Sequence, residues 1–323
     1  MRPTYFANFR SDLRGAGKPR EVEGILDIYL IRPAGFLLVR VLKHTPITPN
    51  MVSAGALLAG CLSGYYYFKT VESGTDLSFP LVAAALLYLH SVLDSADGQL
   101  ARTKQAASES GRIVDGICDY LAFAAIYVGI LAGQHSHAAE GFSVVFAVAV
   151  LSGCSHAVQS ALTEFHRTKY LDYVYGNGLV SSDAGDSAPP REAPEGTLHT
   201  LHTLYEGVQR SFTASSHRLD HFIRAWLRQY PDRRPAVSSI FADEQVPMLR
   251  AWTLLGPNSH KVGLVLASFA PAISGFPVLQ YGTVLFFYYN LVLNVVLLVV
   301  NRAQARTDRR IEAAIKRLAP IHH

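Results

Sequence analysis

The chain alternates long apolar runs with polar ones, and the lengths of those runs set the architecture. Residues 51–68, 79–93, 111–131, 142–162, 262–276 and 278–300 are strongly apolar. A helix of about 20 such residues crosses a bilayer core roughly 30 Å thick, so six transmembrane helices are predicted. The run at 79–93 reaches that length only if its helix continues through residues 94–101. Thr48-Pro49-Asn50 marks the start of the first span. Pro271 and the bounding Pro277 predict a kinked or shortened fifth span. Ahead of the spans, residues 25–42 interleave Ile25, Ile28, Leu30, Phe36, Leu37, Val39 and Leu42 with Asp27, Arg32, Arg40 and Lys43. That pattern is too short and too charged to span. It suits a helix lying in the membrane interface, broken or kinked at Pro33, or else an ordinary amphipathic core helix.

The polar segments complete the expected organisation: 1–48 as N-terminus and interfacial helix, 49–171 as spans one to four, 172–258 as an excursion, 259–302 as spans five and six, and 303–323 as a tail. Residues 177–197 are rich in Gly, Ser, Asp and Pro and read as flexible. From Leu198 the pattern is amphipathic: Leu201, Leu204, Val208 and Phe212, then Leu219, Phe222, Ile223, Trp226 and Leu227, keep helical spacing up to the Pro231–Pro235 segment. The fold class is therefore an all-α integral membrane protein.

Composition agrees: 323 residues, 50% of them hydrophobic, suffice for one bundle with a polar appendage. Every Lys and Arg except Lys69 lies in the N-terminal segment, the hairpin turn, the segment between spans four and five including its Lys261 end, or the tail after Asn301. In a six-span arrangement those regions share a side, and the positive-inside rule makes it the cytoplasm, in a bacterial inner membrane. The net charge of +4 follows from that orientation and calls for no nucleic-acid partner. Cys61, Cys118 and Cys154 sit inside apolar runs, as small core hydrophobes rather than a disulfide framework.

The candidate chemistry sits between the second and third runs. Asp94, Asp97, Gly98 and Ala101 fall at i, i+3, i+4 and i+7, one helix face; Gly111, Asp115 and Asp119 are spaced by four. A turn near 103–110 would fold the two helices into an antiparallel hairpin, bringing Asp94 level with Asp119 and Asp97 with Asp115. Four carboxylates cannot share a low-dielectric pocket uncompensated. All-oxygen ligation points to Mg2+ or Mn2+, and two such ions are the usual partners of phosphorus chemistry.

The pattern D-x2-D-G-x2-A-R-x8-G-x3-D-x3-D, from Asp94 to Asp119, resembles the signature of the CDP-alcohol phosphotransferases, membrane enzymes of phospholipid synthesis, and each fixed position is filled. Thr48-Pro49-Asn50 before the first span is similar to that family as well. The resemblance implies that Asp94, Asp97 and Asp115 hold the metal, with Asp119 close enough to share it and acting as general base. It further implies that Gly98, Ala101, Arg102 and Gly111 receive the CDP moiety, and that the protein is a homodimer. The expected reaction moves a phosphatidyl-type group from a CDP-linked lipid such as CDP-diacylglycerol to a small polar alcohol, inositol- or glycerol-like and possibly phosphorylated, with release of CMP. Arg167, Lys169, Lys261 and Arg302, at span ends, are the candidate acceptor-binding residues, though span ends are commonly basic. His90, one turn before Asp94, is placed to orient that carboxylate or to hydrogen-bond within the bundle. Two alternatives stay open: an aminoalcohol phosphotransferase moving phosphocholine or phosphoethanolamine from CDP to a lipid alcohol, and, outside enzymes, a carboxylate-based cation transporter.

Overall fold

Helices are the only regular elements among the described residues of the computed structural model, which are 19–73, 76–106, 108–137, 142–176, 197–274 and 288–318. The helices are α1 (Arg32–Leu42), α2 (Pro49–Ser73), α3 (Ser78–Thr103), α4 (Glu109–His137), α5 (Phe142–Tyr175), α6 (Thr197–Gln229), α7 (Arg234–Trp252), α8 (Pro257–Ser274) and α9 (Leu293–Lys316). Among the described residues, three stretches are long and apolar enough to cross a membrane: α3, Val114–Ser136 within α4, and α5. The 25 residues of α2 have the length, but its serines, glycines and Tyr65, Tyr66 and Tyr67 keep its hydropathy lower. The expected fifth and sixth spans run into residues 275–287, outside the described residues, as do the N-terminal segment up to 18 and the excursion at 177–196.

The chain divides into two compact units. The first comprises 1–152 and 260–290, the second 153–259 and 291–323.

In the first unit α2 is the centre. Both α3 and α4 pack extensively on it, while they have little contact with each other. The expected hairpin is present, yet a third helix sets its spacing. Small residues make this possible. A side chain at Gly129 of α4 would come within 2.1 Å of the Gly64 carbonyl oxygen, and one at Gly60 within 2.4 Å of the Ala122 Cβ. The two helices thus meet backbone to backbone, the close approach that small residues spaced by four permit. On the other side, Ser63 donates to the Ala83 carbonyl at 2.9 Å.

α1 covers the cytosol-expected end of α3. Its buried face contributes Val39 to a cluster with Val52, Ala96 and Leu100. Ile25, Tyr29, Leu37 and Val41, nearly all spaced by four, stay exposed, as an interface-lying segment requires. The break expected at Pro33 takes the form of a π-helical turn, Asp27–Ile31, with Pro33 in the first turn of α1. Pro33 has no N–H to give the i−4 carbonyl, so the chain reaches α1 through the wider turn. Lys104 then fastens the α1–α2 connection, donating to the carbonyls of Thr45 at 2.7 Å and Ile47 at 2.8 Å.

The second unit is built on α9, which packs against α6 and α7. α6 is one helix of 33 residues, burying Leu219, Ile223 and Trp226 as its spacing predicts; Leu201, Leu204 and Val208 lie in its first part, whose side chains are outside the described residues. The joints on α9 are polar: Ser216 of α6 donates to Asp308 at 2.8 Å, Gln304 within α9 to the same carboxylate at 2.7 Å, and the Trp252 indole of α7 to Gln304 at 3.0 Å. Cys61 and Cys154 are exposed on their helices rather than in the core. A helix surrounded by lipid gains as much by placing an apolar thiol outward as inward.

Candidate active site

α3 runs unbroken through Asp94, Asp97, Gly98 and Ala101 and stops after Arg102 and Thr103 because Gln105 adopts a left-handed conformation, φ 53°. The Ala106 N–H bonds back to the Ala101 carbonyl at 2.8 Å, closing the helix end. Three residues on, the Ser108 hydroxyl oxygen accepts from the Gly111 N–H at 3.0 Å and caps α4. Across this tight turn the two acid pairs stand level, as the spacing predicts: Asp97 lies within hydrogen-bonding reach of Asp115, and Asp94 of Asp119.

Asp94, Asp97 and Asp115 each offer a carboxylate oxygen, and the three oxygens lie within 4.8 Å of one another. Oxygens on opposite sides of an octahedral Mg2+ are about 4.2 Å apart, so this set fits a hard divalent cation. Asp97 is 3% exposed and accepts a 2.6 Å hydrogen bond from Ser53 on α2. Buried negative charge of this density requires a compensating cation.

Asp119 is held differently. Its Oδ1 lies 3.4 Å from Nε2 of the buried His90, so His90 faces the fourth acid across the cleft and not Asp94 on its own helix. The Lys261 ammonium, largely buried on α8, sits 5.8 Å from the Phe123 ring centre, one turn beyond Asp119, and its charge acts on both Asp94 and Asp119.

Of the small residues of the signature, Gly98 leaves open space beside it. A Cβ at Gly98 would meet only the tip of the Arg102 guanidinium, at 3.6 Å. Gly111 lies beside the Ser108 hydroxyl at the start of α4. Ala101 is half-buried and Arg102 exposed.

Of the four basic residues proposed for the acceptor, Lys261 belongs to the first unit, with the acids. Arg167, Lys169 and Arg302 belong to the second. There Arg167 is paired with Glu164 at 2.8 Å, Lys169 with Asp220 at 2.9 Å, and Arg302 is exposed.

Two participants escaped the sequence reading. Ser53 falls four residues after Pro49, one turn into α2, which is a usable sign only once α2 is known to face α3. The partner of His90 depends in the same way on which helices adjoin.

Residues 46–173, which contain α2 to α4 and most of α5, match the CDP-alcohol phosphatidyltransferase family. A ceramide phosphoethanolamine synthase of Drosophila melanogaster is 32% identical over 112 residues, which make up 32% of this chain and 27% of that protein. The matched stretch thus spans about a quarter of the relative's length. The signature between Asp94 and Asp119 and the acids it gathers lie inside that matched stretch, so it is over residues 46–173 that this chain is similar to the CDP-alcohol phosphatidyltransferase family.

Proposed function

We propose that this protein catalyses metal-dependent transfer of a substituted phosphate from a CDP-linked alcohol to a second alcohol, releasing CMP, in the synthesis of a membrane lipid. The observation that carries the reading is the set of three carboxylate oxygens within 4.8 Å of one another, with a fourth acid beside them in separate surroundings.

Asp94, Asp97 and Asp115 would hold the Mg2+ or Mn2+, one or two ions. When bound, the cation neutralises the diphosphate and stabilises CMP as a leaving group. Ser53 fixes the Asp97 carboxylate. Gly98, Ala101 and Gly111 let the nucleotide approach the helix backbone, with Arg102 at its edge. Asp119 takes the proton of the attacking hydroxyl, whose oxygen bonds to the phosphorus bearing the donor's alcohol as the bond from that phosphorus to CMP breaks.

For the acceptor, the likeness to a protein named for making ceramide phosphoethanolamine supports a lipid alcohol receiving a phospho-head group. The converse reading, a CDP-linked lipid donating to a polar or phosphorylated alcohol, is favoured by Lys261, a buried cation beside the acids. Arg167 and Lys169, each already paired with a carboxylate, add less support to it.

The test is CMP release by the purified protein in lipid micelles. CDP-ethanolamine with ceramide or diacylglycerol is compared with CDP-diacylglycerol and glycerol phosphate or inositol phosphate. Chelation should abolish release and Mg2+ or Mn2+ restore it. Full turnover in excess chelator would contradict the metal site. Cation flux across vesicles with no CMP from any pair would favour the transporter.

A further inference from the structure

We infer that the outward face of α9 is a binding surface for anionic lipid headgroups, with Arg302, Arg306 and Arg309 as the groups that hold the lipid phosphates.

Two opposite faces divide α9. Leu293, Leu297, Gln304, Ile311 and Ile315 are buried along one of them. The other is exposed, and its chemistry changes within a single turn. Leu291, Val295 and Val299 are exposed and apolar. Arg302, Arg306 and Arg309, also exposed, continue the same line, because steps of three and four residues return to one helix face. A contiguous apolar face left open to the surroundings marks contact with lipid or a partner, and here the apolar run 278–300 ends where the line turns basic. The step from Val299 to Arg302 is therefore the passage from lipid tails to headgroups. Arg302, a candidate for the acceptor by its place at a span end, is the first of this row.

The basic residues are ordered by face, which membrane orientation alone does not require. The positive-inside rule counts Lys and Arg near a span end wherever they point. Arg302, Arg306, Arg309, Arg310, Lys316 and Arg317 are all exposed, and at 3.6 residues per turn all stand within about 60° of the outward line. The acids of the same stretch lie off it: Asp308 is buried on the opposite face and Glu312 is on the flank. Arg310 reaches Glu244 at 3.4 Å and Lys316 reaches Glu312 at 2.5 Å, whereas no carboxylate among the described residues pairs with Arg302, Arg306 or Arg309. The helix dipole favours cations in the last turn, which accounts for Lys316 and Arg317 but not for these three.

Depth selects the same three. At 1.5 Å per residue along the axis, Arg309 stands about 10 Å beyond Arg302, and Lys316 about 21 Å beyond it. The headgroup layer is roughly 5–7 Å thick on each side of the bilayer. An arginine stem leans back toward that layer, and charges more than about 8 Å away are screened. Arg302, Arg306 and Arg309 thus reach the phosphates, and Lys316 does not. Three cations in succession with no acid between them favour lipids of net negative charge over zwitterionic ones, whose phosphates already have an ammonium beside them.

The test uses the full-length protein in phosphatidylcholine bilayers carrying a trace of spin-labelled phosphatidylglycerol or phosphatidylcholine. Electron paramagnetic resonance then gives the share of each held at the protein. The wild type should hold phosphatidylglycerol in preference, and NaCl at about 1 M, where the Debye length is about 3 Å, should erase that preference. Arg306→Gln/Arg309→Gln should lower it roughly two- to threefold, the local effect of about fivefold per arginine being averaged over all the lipids that touch the protein. Arg306→Lys/Arg309→Lys and Lys316→Gln should keep it. No preference in the wild type, an undiminished one in the glutamine variant, or a loss as large in the lysine variant or in Lys316→Gln would overturn the assignment. No turnover enters the measurement, so its outcome is independent of the reaction proposed above.

Discussion

The Ser53 hydroxyl, 2.6 Å from the Asp97 carboxylate, reaches the acidic site from a helix with no residue in the signature. Removing it leaves a buried carboxylate oxygen with one donor fewer and the side chain free to turn. Ser53→Ala should therefore weaken Mn2+ affinity by roughly 10- to 100-fold while the fold persists. Isothermal titration with Mn2+ checks this, and an unchanged affinity would mean that the cation orients Asp97 without help. The signature glycines make a second contrast at this scale. Gly98→Ala meets only a flexible guanidinium and should keep wild-type thermal stability while raising the donor KM. Gly129→Ala puts a methyl into the Gly64 carbonyl and should destabilise by about 1–3 kcal/mol, visible as a lower Tm with either substrate present or absent. If Gly98→Ala lowers the Tm as much, its role is packing. The acids were legible in the sequence because their spacing alone puts each pair on one face of its helix. Ser53, Gly64 and Gly129 were not, because a serine or glycine inside an apolar run looks the same whether it faces lipid, a neighbouring helix or a substrate.

Between elements, the polar joints of the second unit respond to pH. Burial by itself would raise the Asp220 carboxyl, but the Tyr173 hydroxyl, Lys169 and Arg224 outweigh it and hold the group below the ordinary carboxylate range. A folded-state value below the unfolded one means stability that is present above the unfolded pKa of about 3.9 and is lost as pH falls through the folded value. Asp220→Asn should accordingly lower stability by about 1.5–3 kcal/mol at pH 7, and the gap from wild type should close below about pH 4. Thermal melts across that range decide it; a gap constant with pH would assign the effect to packing. The amphipathic spacing foretold α6, but α7 was not anticipated. Pro235 and Pro247 and the charged Arg234, Asp243, Glu244 and Arg250 hide its periodicity, and the burial of Val237, Phe241 and Leu249 becomes intelligible only with the neighbouring helices in place, Phe241 lying against the Tyr173 ring of α5.

For the whole molecule, the placement of Lys and Arg predicts that the acids and the 177–197 segment share the cytoplasmic side. A cysteine introduced at Ser182 should react with an impermeant reagent only from that side, and labelling from the opposite side would refute the six-span arrangement. The central position of α2 carries one more consequence. Because α3 and α4 each take their register from α2, the short connection between them only keeps them in one chain. The site is in effect an assembly of separately docked pieces. A protein cut between Ala106 and Ala107, expressed as two fragments in the same membrane, should reassemble and release CMP. Length changes in that connection should be tolerated where a one-residue insertion inside α3, which turns Asp97 about 100° away from Asp94, is not.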